Sequence, residues 1–266
     1  MELFDLTGKV AIVTGGGSGL GRVFCEALAE AGAKVCCADL LEDRAQETVK
    51  ILTSKGGKAV ALRVDVTQQE QVQYMVEQTV KRLGGLDIAV NNAGIITRSC
   101  HIHEMTLDDW DRSMAVNLRA VFLCMQEELK VMLIKHSGSI INTASIAGLV
   151  GFDTKKLKIP CTYAVTKHAI IGLTRQAAIE YAKEGIRINA LAPGWHIGTH
   201  IGDESWSGAT EEELKQFEKT LYETIPMGRT GKLNEEKGSI LYLASELASS
   251  YVTGSVITSD GGYTAW

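Results

Sequence analysis

The chain has 266 residues, of which 45% are hydrophobic and 22% charged, and its formal net charge is −5. This is the composition of one ordinary α/β domain, and the acidic balance gives no reason to expect nucleic acid or an anionic membrane as a partner. No apolar run is long enough to span a membrane, and residues 1–5 lack the features of a signal peptide. We therefore predict a single domain over residues 1–266, located in the cytoplasm.

The six cysteines and the pair His101-x-His103 do not form a recognisable ligand pattern. The cysteines show no CxxC spacing and lie mostly in apolar segments, where a reduced thiol packs as a small hydrophobic group. The two histidines have no cysteine or carboxylate cluster nearby. We expect neither disulfides nor a metal site.

A glycine-rich turn follows the first predicted strand, residues 9–13, and precedes a helix that ends near Ala31. At such a junction glycines permit a tight turn, and the helix N-terminus presents free N–H groups to a pyrophosphate. The residues that would serve this purpose are Gly15, Ser18, Gly19, Leu20 and Gly21. Their spacing differs from the common GxGxxG fingerprint, so a plain structural turn remains the alternative.

The second predicted strand, residues 34–39, ends in an acid 18 positions beyond Gly21. An acid at this point of a dinucleotide fold binds the adenosine ribose hydroxyls. Asp39 would repel a 2′-phosphate, and Gly17 stands where a basic side chain could hold one, so the pattern favours NAD over NADP. The alternative is that Asp39 caps the helix that begins near Glu42. Arg44 is the nearest cation.

The third and fourth predicted strands also end in residues suited to a ligand. Residues 58–64 run into Asp65 and Val66, which are candidates to face the adenine, and Thr67 is expected to cap the following helix. Residues 87–90 run into Asn91-Asn92-Ala93-Gly94, where Gly94 would let a cofactor pass close to the backbone.

Thr106 is predicted to cap a long helix reaching about Lys135, with Asn117 on its apolar face. A buried amide needs hydrogen-bond partners, so Asn117 is either a satisfied packing residue or part of a site. Ser145 stands just past the fifth predicted strand, residues 138–143.

A helix over about residues 162–183 carries Tyr163 and Lys167 at positions i and i+4, so their side chains meet on one face. A neighbouring ammonium favours the phenolate, which makes Tyr163 a candidate acid and base for alcohol and carbonyl chemistry. The hydroxyl of Ser145 could hold the substrate oxygen while a nicotinamide exchanges hydride.

The last part of the chain supplies a sixth strand over residues 185–191 and a seventh over 255–258, with Asn234 expected to cap the last helix. The connection 195–232, with its own helix behind Thr210, is predicted to be a mobile lid or substrate loop. Strands that alternate with helices in this way predict a doubly wound parallel sheet.

Taken together, these motifs resemble the classical short-chain dehydrogenase/reductase family over essentially the whole chain. The residues that carry the resemblance are Thr14–Gly21, Asp39, Asp65, Asn91–Gly94, Asn117, Ser145, Tyr163, Lys167 and Pro193–Gly194. It implies a single Rossmann-type dinucleotide-binding catalytic domain, with a seven-stranded parallel sheet flanked by helices, usually assembled as a homotetramer or homodimer.

The resemblance also implies roles for individual residues. Ser145 would position the substrate, Tyr163 would be the acid/base, Lys167 would lower its pKa and bind the nicotinamide ribose, and Asn117 would support a water in a proton relay. The cofactor-binding set is Gly15, Ser18, Gly19, Leu20, Gly21, Asp39, Leu40, Asp65, Val66, Asn91, Ala93, Gly94, Tyr163, Lys167, Pro193, Gly194 and Thr199.

Two segments depart from the family pattern. The separation of 18 positions between Ser145 and Tyr163 makes residues 152–160 an insertion beside the active site, and the approach to Thr199 is one residue longer than usual. The insertion holds Lys155, Lys156 and Lys158, and other basic residues are expected nearby, so we hypothesise an anionic substrate. Candidate substrate contacts are Arg98, Ser145, Lys156, His196 and His200. Solvated surface lysines are the alternative.

The sequence thus predicts an NAD-dependent oxidoreductase that interconverts an alcohol with a ketone or aldehyde on a small polar, conceivably anionic, substrate. One alternative is a reductase for acyl-carrier or steroid-like ketones. The alternative from another class is a catalytically silent NAD-binding sensor, against which the intact set of Ser145, Tyr163 and Lys167 argues.

Overall fold

Seven parallel strands form the central sheet in the computed structural model, which describes residues 2–199, 201 and 209–265, apart from the side chain of Lys155. The seven strands are β1 (Val10–Thr14), β2 (Lys34–Asp39), β3 (Ala59–Arg63), β4 (Ile88–Asn91), β5 (Gly138–Thr143), β6 (Ile186–Pro193) and β9 (Val256–Ser259). Two short strands, β7 (His196–Ile197) and β8 (Gly231–Lys232), lie outside this sheet. The sheet order is β3-β2-β1-β4-β5-β6-β9, and β7 pairs separately with β8.

Helices cover both faces of this sheet. They are α1 (Gly19–Glu30), α2 (Glu42–Ser54), α3 (Gln69–Leu83), α4 (Leu107–Ser113), α5 (Ala120–Lys135), α6 (Thr154–Leu157), α7 (Cys161–Tyr181), α8 (Glu211–Thr224), α9 (Lys237–Ala244) and α10 (Glu246–Ser249). Short 3₁₀ turns lie at Glu2–Phe4, Ile102–Glu104, Ile146–Gly148, Ala182–Glu184 and Leu233–Glu236.

The two faces of β1 show how the layers are built, because side chains of a strand alternate between faces. Val10 and Ile12 pack in the cluster with α3, α5 and α7, whereas Ala11 and Val13 pack in the cluster with α1, α2 and α9. The predicted Rossmann-type doubly wound sheet is therefore confirmed.

The strand order reverses between β1 and β4, and this reversal positions the site. Val10 pairs with Lys34 of β2 on one side, and Ala11 pairs with Ile88 of β4 on the other. The connections that leave the carboxyl ends of β1 and β4 diverge to opposite faces, which opens a crevice at that edge of the sheet.

The long helix predicted from Thr106 to Lys135 is interrupted. Thr106 caps its start as expected, accepting a hydrogen bond from the backbone N–H of Asp109 at 3.1 Å. The helical path then widens into a π-helical segment at Met114–Arg119 between α4 and α5. Such π turns add a residue to a helix and are common at functional sites, and this one contains Asn117.

Two predicted helix caps are wrong. The hydroxyl of Thr67 donates to the carboxylate of Asp65 at 2.7 Å instead of accepting from the helix, and α3 begins at Gln69. A charged acceptor makes a stronger hydrogen bond than the capping contact would, which explains the difference. Asn234 lies inside the 3₁₀ turn Leu233–Glu236, and α9 begins only at Lys237.

The predicted loop 195–232 contains regular structure where it is described. Its two ends pair as β7 and β8, and α8 begins behind a capping box formed by Thr210 and Glu213. The insertion 152–160 folds into α6, which contacts α8. Both segments therefore lie on the same side of the crevice.

No helix in the described part of the chain is long and apolar enough to cross a membrane. Across residues 2–199, 201 and 209–265, no group of three or more histidine, cysteine, aspartate or glutamate side chains is arranged to hold a metal ion. All six cysteines are free thiols.

Candidate active site

The glycine turn after β1 is shaped by contacts that no larger residue allows. Gly15 has a φ of 63°, in the left-handed region that favours glycine. A Cβ on Gly21 would lie 2.0 Å from the carbonyl oxygen of Gly15, so helix α1 can pack this close to the turn only with glycine there. The first turn of α1, from Gly19, faces the crevice with its free N–H groups.

Asn92 fixes this turn from the neighbouring strand end. Its amide Nδ2 donates to the carbonyl oxygens of Thr14 at 3.0 Å and Gly15 at 3.3 Å. The hydroxyl of Thr14 accepts in return from the backbone N–H groups of Asn92 and Ala93. The sequence analysis placed Asn92 in the strand-end motif but not among the site residues, although an amide directly beside a glycine turn is the signal that could have indicated it.

Asn91 does not line the crevice, contrary to the prediction. Its amide is buried and donates to Glu128 at 3.1 Å and to Asn142 at 3.0 Å, within the layer behind the sheet. The physical reason is the alternation of side chains along β4, which turns Asn91 and Asn92 to opposite faces. Burial raises the pKa of Glu128 to about 8.

Asp39 lines the end of the crevice where the sequence predicts that the adenosine of a dinucleotide binds. Its carboxylate accepts from the backbone N–H of Gly17 and from that of Leu41, each at 2.9 Å. Helix α2 is capped by Leu41 with no side-chain hydrogen bond, so Asp39 does not serve as its cap. A Cβ on Gly17 would lie 2.8 Å from the Asp39 carboxylate. This contact leaves no room for a basic side chain at Gly17.

The crevice extends from this end to the predicted catalytic residues as one continuous cavity of about 840 Å³. Most members of the predicted cofactor-binding set line it. They are Gly15, Ser18, Gly19, Leu20, Gly21, Asp39, Leu40, Asp65, Val66, Ala93, Gly94, Tyr163, Lys167, Pro193, Gly194 and Thr199. A Cβ added to Gly19 would lie 3.6 Å from the Cα of Thr199, so Thr199 stands over the glycine turn.

Ser145, Tyr163 and Lys167 meet at the other end of the cavity. Ser145 follows β5 and opens the 3₁₀ turn Ile146–Gly148, with its hydroxyl accepting from the Ala147 N–H at 3.1 Å. The hydroxyl of Ser145 lies close enough to the phenol of Tyr163 to act on its pKa, and both residues line the cavity. The ammonium of Lys167 donates to the carbonyl oxygen of Thr143 at 2.7 Å and lies 5.5 Å from the centre of the Tyr163 ring.

Burial, rather than the neighbouring ammonium, sets the acidity of this group. Burial raises the pKa of Tyr163 to about 12, and the nearby Ser145 hydroxyl offsets only part of that rise. Burial also lowers the pKa of Lys167 to about 7. The expected lowering of the Tyr163 pKa is therefore not produced by these residues alone. At neutral pH the phenol holds its proton, which is the state that can donate to a carbonyl oxygen.

Asn117 is a buried connector rather than part of the cavity lining. Its amide oxygen accepts from the Ile95 N–H at 2.8 Å, and its Nδ2 donates to the Ile95 carbonyl at 2.9 Å. A weaker contact of 3.4 Å joins Nδ2 to the hydroxyl of Thr166 on α7. The π turn thus ties the segment after Gly94 to the helix that carries Tyr163.

An apolar wall surrounds the hydroxyl pair of Ser145 and Tyr163. Its aromatic rings come from distant segments of the chain: Phe152, Trp195 and Phe217 line the cavity, and Tyr263 packs behind them against Phe152. Trp195 contacts Phe152 and Phe217 edge-on at centroid distances of 6.0 and 5.6 Å, and Phe152 stacks on Tyr263 at 5.8 Å. Aliphatic side chains complete it: Ile96, Leu157, Ile159, Ile201, Leu221 and Ile225. The sequence analysis did not identify this wall.

Two predicted substrate contacts, Arg98 and Lys156, lie outside the cavity lining, and a third, His196, lines the cavity but is turned toward Glu236. Arg98 is exposed and does not line the cavity. Lys156 has a side chain that is 73% exposed and lies 3.9 Å from Asp153, because α6 turns this residue to solvent. The side chain of His196 is only 3% exposed and faces Glu236. His200 lies outside the described residues, and so does the side chain of Lys155.

The fold and this site define an oxidoreductase of the Rossmann type, and comparison with known proteins makes the family explicit. Residues 15–264 match the family model described as enoyl-(acyl carrier protein) reductase. The chain is 40% identical over 262 residues to a 2,5-dichloro-2,5-cyclohexadiene-1,4-diol dehydrogenase of Sphingobium indicum, covering 98% of this chain and 99% of that protein.

Solved structures agree with this assignment. A short-chain type dehydrogenase/reductase from Mycobacterium marinum superposes with a TM-score of 0.90 at 38% identity, covering 100% of this chain and 99% of the other. A gluconate 5-dehydrogenase from Burkholderia cenocepacia, in complex with NADP and tartrate, gives a TM-score of 0.89 at 33% identity, covering 99% and 98%. The chain belongs to the short-chain dehydrogenase/reductase family, as its motifs indicated.

Proposed function

We propose that this protein is an NAD-dependent dehydrogenase for secondary alcohols and ketones on an uncharged, largely apolar ring. The observation that carries the proposal is the apolar wall around the hydroxyls of Ser145 and Tyr163. The proposed substrate differs from the small polar or anionic one expected from the sequence, because the wall is apolar. Residues 152–160 and 195–232 supply Phe152, Trp195 and Phe217 to the wall, which supports their role as the substrate-binding segments.

The cavity fits a dinucleotide at its glycine end. Gly15 and Gly21 allow the turn, the start of α1 and the strand end at Asn92 to pack closely at this end of the cavity, and the free N–H groups of α1 face it. When bound, a nicotinamide cofactor supplies or accepts the hydride. Gly15, Ser18, Gly19 and Thr199 would hold its phosphates, whereas Asp65 and Val66 line the adenine end.

Preference for NAD is supported by the placement of Asp39. Its carboxylate is fixed by two backbone N–H groups and would meet a 2′-phosphate with like charge. Arg44 lines the same end and is the one nearby cation in the described cavity lining that could favour NADP. The fixed carboxylate lies in contact with Gly17, directly at the turn, so we expect its effect to dominate.

The proton chemistry follows from three side chains. The phenol of Tyr163 carries the proton that passes to or from the substrate oxygen, and the neighbouring Ser145 hydroxyl helps hold that oxygen. Lys167, fixed on the Thr143 carbonyl, places a titratable ammonium beside the ring. Positive charge in this closed space favours the phenolate, which is the form required for alcohol oxidation.

An uncharged substrate is favoured because burying a carboxylate among aromatic rings without a partner costs several kcal/mol. The name of the Sphingobium indicum relative, a cyclohexadiene-diol dehydrogenase, is in line with a ring alcohol. Hydroxy acids are the second candidate class, since Arg112 and Lys158 also line the cavity and one structural neighbour is a gluconate 5-dehydrogenase. The charge of Lys158 already acts on Glu213, whose pKa it helps to lower.

The test is NADH formation by the purified protein with NAD and cyclohexanol or 1,4-cyclohexanediol, with NADP in parallel. Turnover with NAD and the ring alcohols supports the proposal. Turnover only with hydroxy acids would favour the second class, and binding of NADH without turnover of any alcohol would favour the sensor alternative.

A further inference from the structure

A buried ion pair lies at the base of the substrate-binding segment 195–232. The Nε2 atom of His196 is 3.1 Å from the Oε1 atom of Glu236, and the two side chains are 3% and 0% exposed. The other ring nitrogen, Nδ1, lies 3.1 Å from the carbonyl oxygen of Gly194. Neither carboxylate oxygen of Glu236 has a hydrogen-bond partner among the described residues, so its contact with His196 is a close ion pair. His196 is therefore its counter-charge.

The pair joins two parts of the chain that both contact the cavity. His196 lies on β7, which pairs with Gly231 on β8, and the Gly231 N–H donates to the Trp195 carbonyl at 2.8 Å. A Cβ on Gly231 would lie 2.5 Å from His196 Nε2, so glycine is needed for the ring to reach Glu236. Glu236 ends a 3₁₀ turn that packs on α1, the helix of the glycine turn.

The residues on either side of His196 face the two halves of the cavity. Trp195 is part of the apolar wall, and the hydroxyl of Thr199, which stands over Gly19, donates to the His196 carbonyl at 3.4 Å. A change in the backbone of β7 would therefore displace a substrate contact and a candidate cofactor contact together.

We propose that His196 is a positioning residue, whose contact with Glu236 fixes β7 and thereby holds Trp195 and Thr199 in place. The effect of this contact on catalysis rests on the proposed function, whereas its effect on the backbone of β7 does not. The sequence analysis named His196 as a substrate contact; the geometry instead assigns it to the support of the residues that make those contacts.

Both ring nitrogens lie against oxygen atoms, and when Glu236 is ionised only the imidazolium can donate to both of them. Burial opposes protonation, but the close carboxylate of Glu236, the Gly194 carbonyl and the more distant Glu235 outweigh it and raise the His196 pKa above its ordinary value. Because the folded pKa is raised, the stabilisation is complete below the ordinary histidine pKa and is lost as the pH rises through the folded value.

Hydrogen exchange measured by mass spectrometry on the full chain tests this without any substrate. In His196→Leu we expect amides in peptides covering 195–199 and 229–236 to exchange at least roughly tenfold faster, since an uncompensated buried carboxylate is left behind. The double variant His196→Leu/Glu236→Leu removes that charge, and it keeps the test valid if the single variant does not fold. It should show the same local acceleration.

One further variant separates the charge of Glu236 from its contact with His196, and another serves as a control. In Glu236→Gln the amide can donate to neutral Nε2 while Nδ1–H still donates to Gly194, so protection should persist and lose its dependence on pH. His136→Leu is the matched control, because it breaks the exposed pair His136–Glu184, which has a separation of 2.9 Å. Exchange in the two test peptides should then match the wild type.

Unchanged exchange in the double variant, or acceleration spread equally over peptides of β1 and β4, would overturn the proposal. With an alcohol that the wild type oxidises, the double variant should raise KM for alcohol and for NAD several-fold with a smaller change in kcat. If the wild type oxidises no alcohol, the proposed function fails, while the exchange result still decides the role of His196.

Discussion

Backbone groups dominate the dinucleotide half of the cavity, whereas side chains dominate the substrate half. In the first half, Gly15 and Gly21 shape a turn that Asn92 fixes through backbone carbonyls. In the second, aromatic rings such as Trp195 and Phe217 form a wall around two hydroxyls. A backbone cradle binds what any dinucleotide presents, while a side-chain wall selects among substrates. The comparison thus separates cofactor binding, which is general to the family, from substrate selection, which is particular to this chain.

The largest effect is expected where the two halves meet, at Tyr163. Tyr163→Phe removes the proton donor while leaving the packing of the ring, so kcat should fall by roughly 10²–10⁴-fold. NADH affinity, measured by fluorescence titration, should change little, because the glycine turn is untouched. A variant with near-normal kcat would show that another group transfers the proton.

A smaller effect is expected at the adenine end of the backbone cradle. Asp39→Asn keeps an oxygen for the Gly17 N–H but removes the charge, so kcat/KM with NADP should rise roughly tenfold relative to NAD. Steady-state rates with each cofactor measure this ratio. Asp65→Asn is the matched control, since Asp65 lines the same half and instead accepts from Thr67. An unchanged ratio in Asp39→Asn would mean that Asp39 does not set the cofactor preference.

The two halves also differ in what the sequence could predict. The glycine turn and the i, i+4 pair of Tyr163 and Lys167 are local patterns, and local geometry fixes what they do. Asn91 was placed in the cavity because the motif was considered as a unit, although alternation along β4 admits only one of the two asparagines. The alternation of side chains along a strand, applied to residues 91 and 92, could have corrected the placement of Asn91.

The substrate half was beyond prediction because it is assembled from distant segments. Phe152, Trp195, Phe217 and Tyr263 share no spacing, and only the tertiary fold brings their rings together. The number of lysines in the insertion indicates a local positive charge, but it does not show whether each side chain points to the cavity or to solvent. For this reason Lys156 was expected at the substrate, whereas its side chain is exposed. The contact of His196 with Glu236 was likewise beyond the sequence, since Glu236 lies on another element.

The most direct measurement compares two ring alcohols that differ in charge alone. We would measure kcat/KM with NAD for 4-methylcyclohexanol and for 4-hydroxycyclohexanecarboxylate, in the wild type and in Lys156→Gln. An apolar wall predicts that the methyl compound is favoured at least roughly tenfold, because the carboxylate loses solvation among the aromatic rings, and that Lys156→Gln changes neither value. Equal rates, or a preference for the carboxylate, would contradict the assignment of the substrate half to uncharged rings.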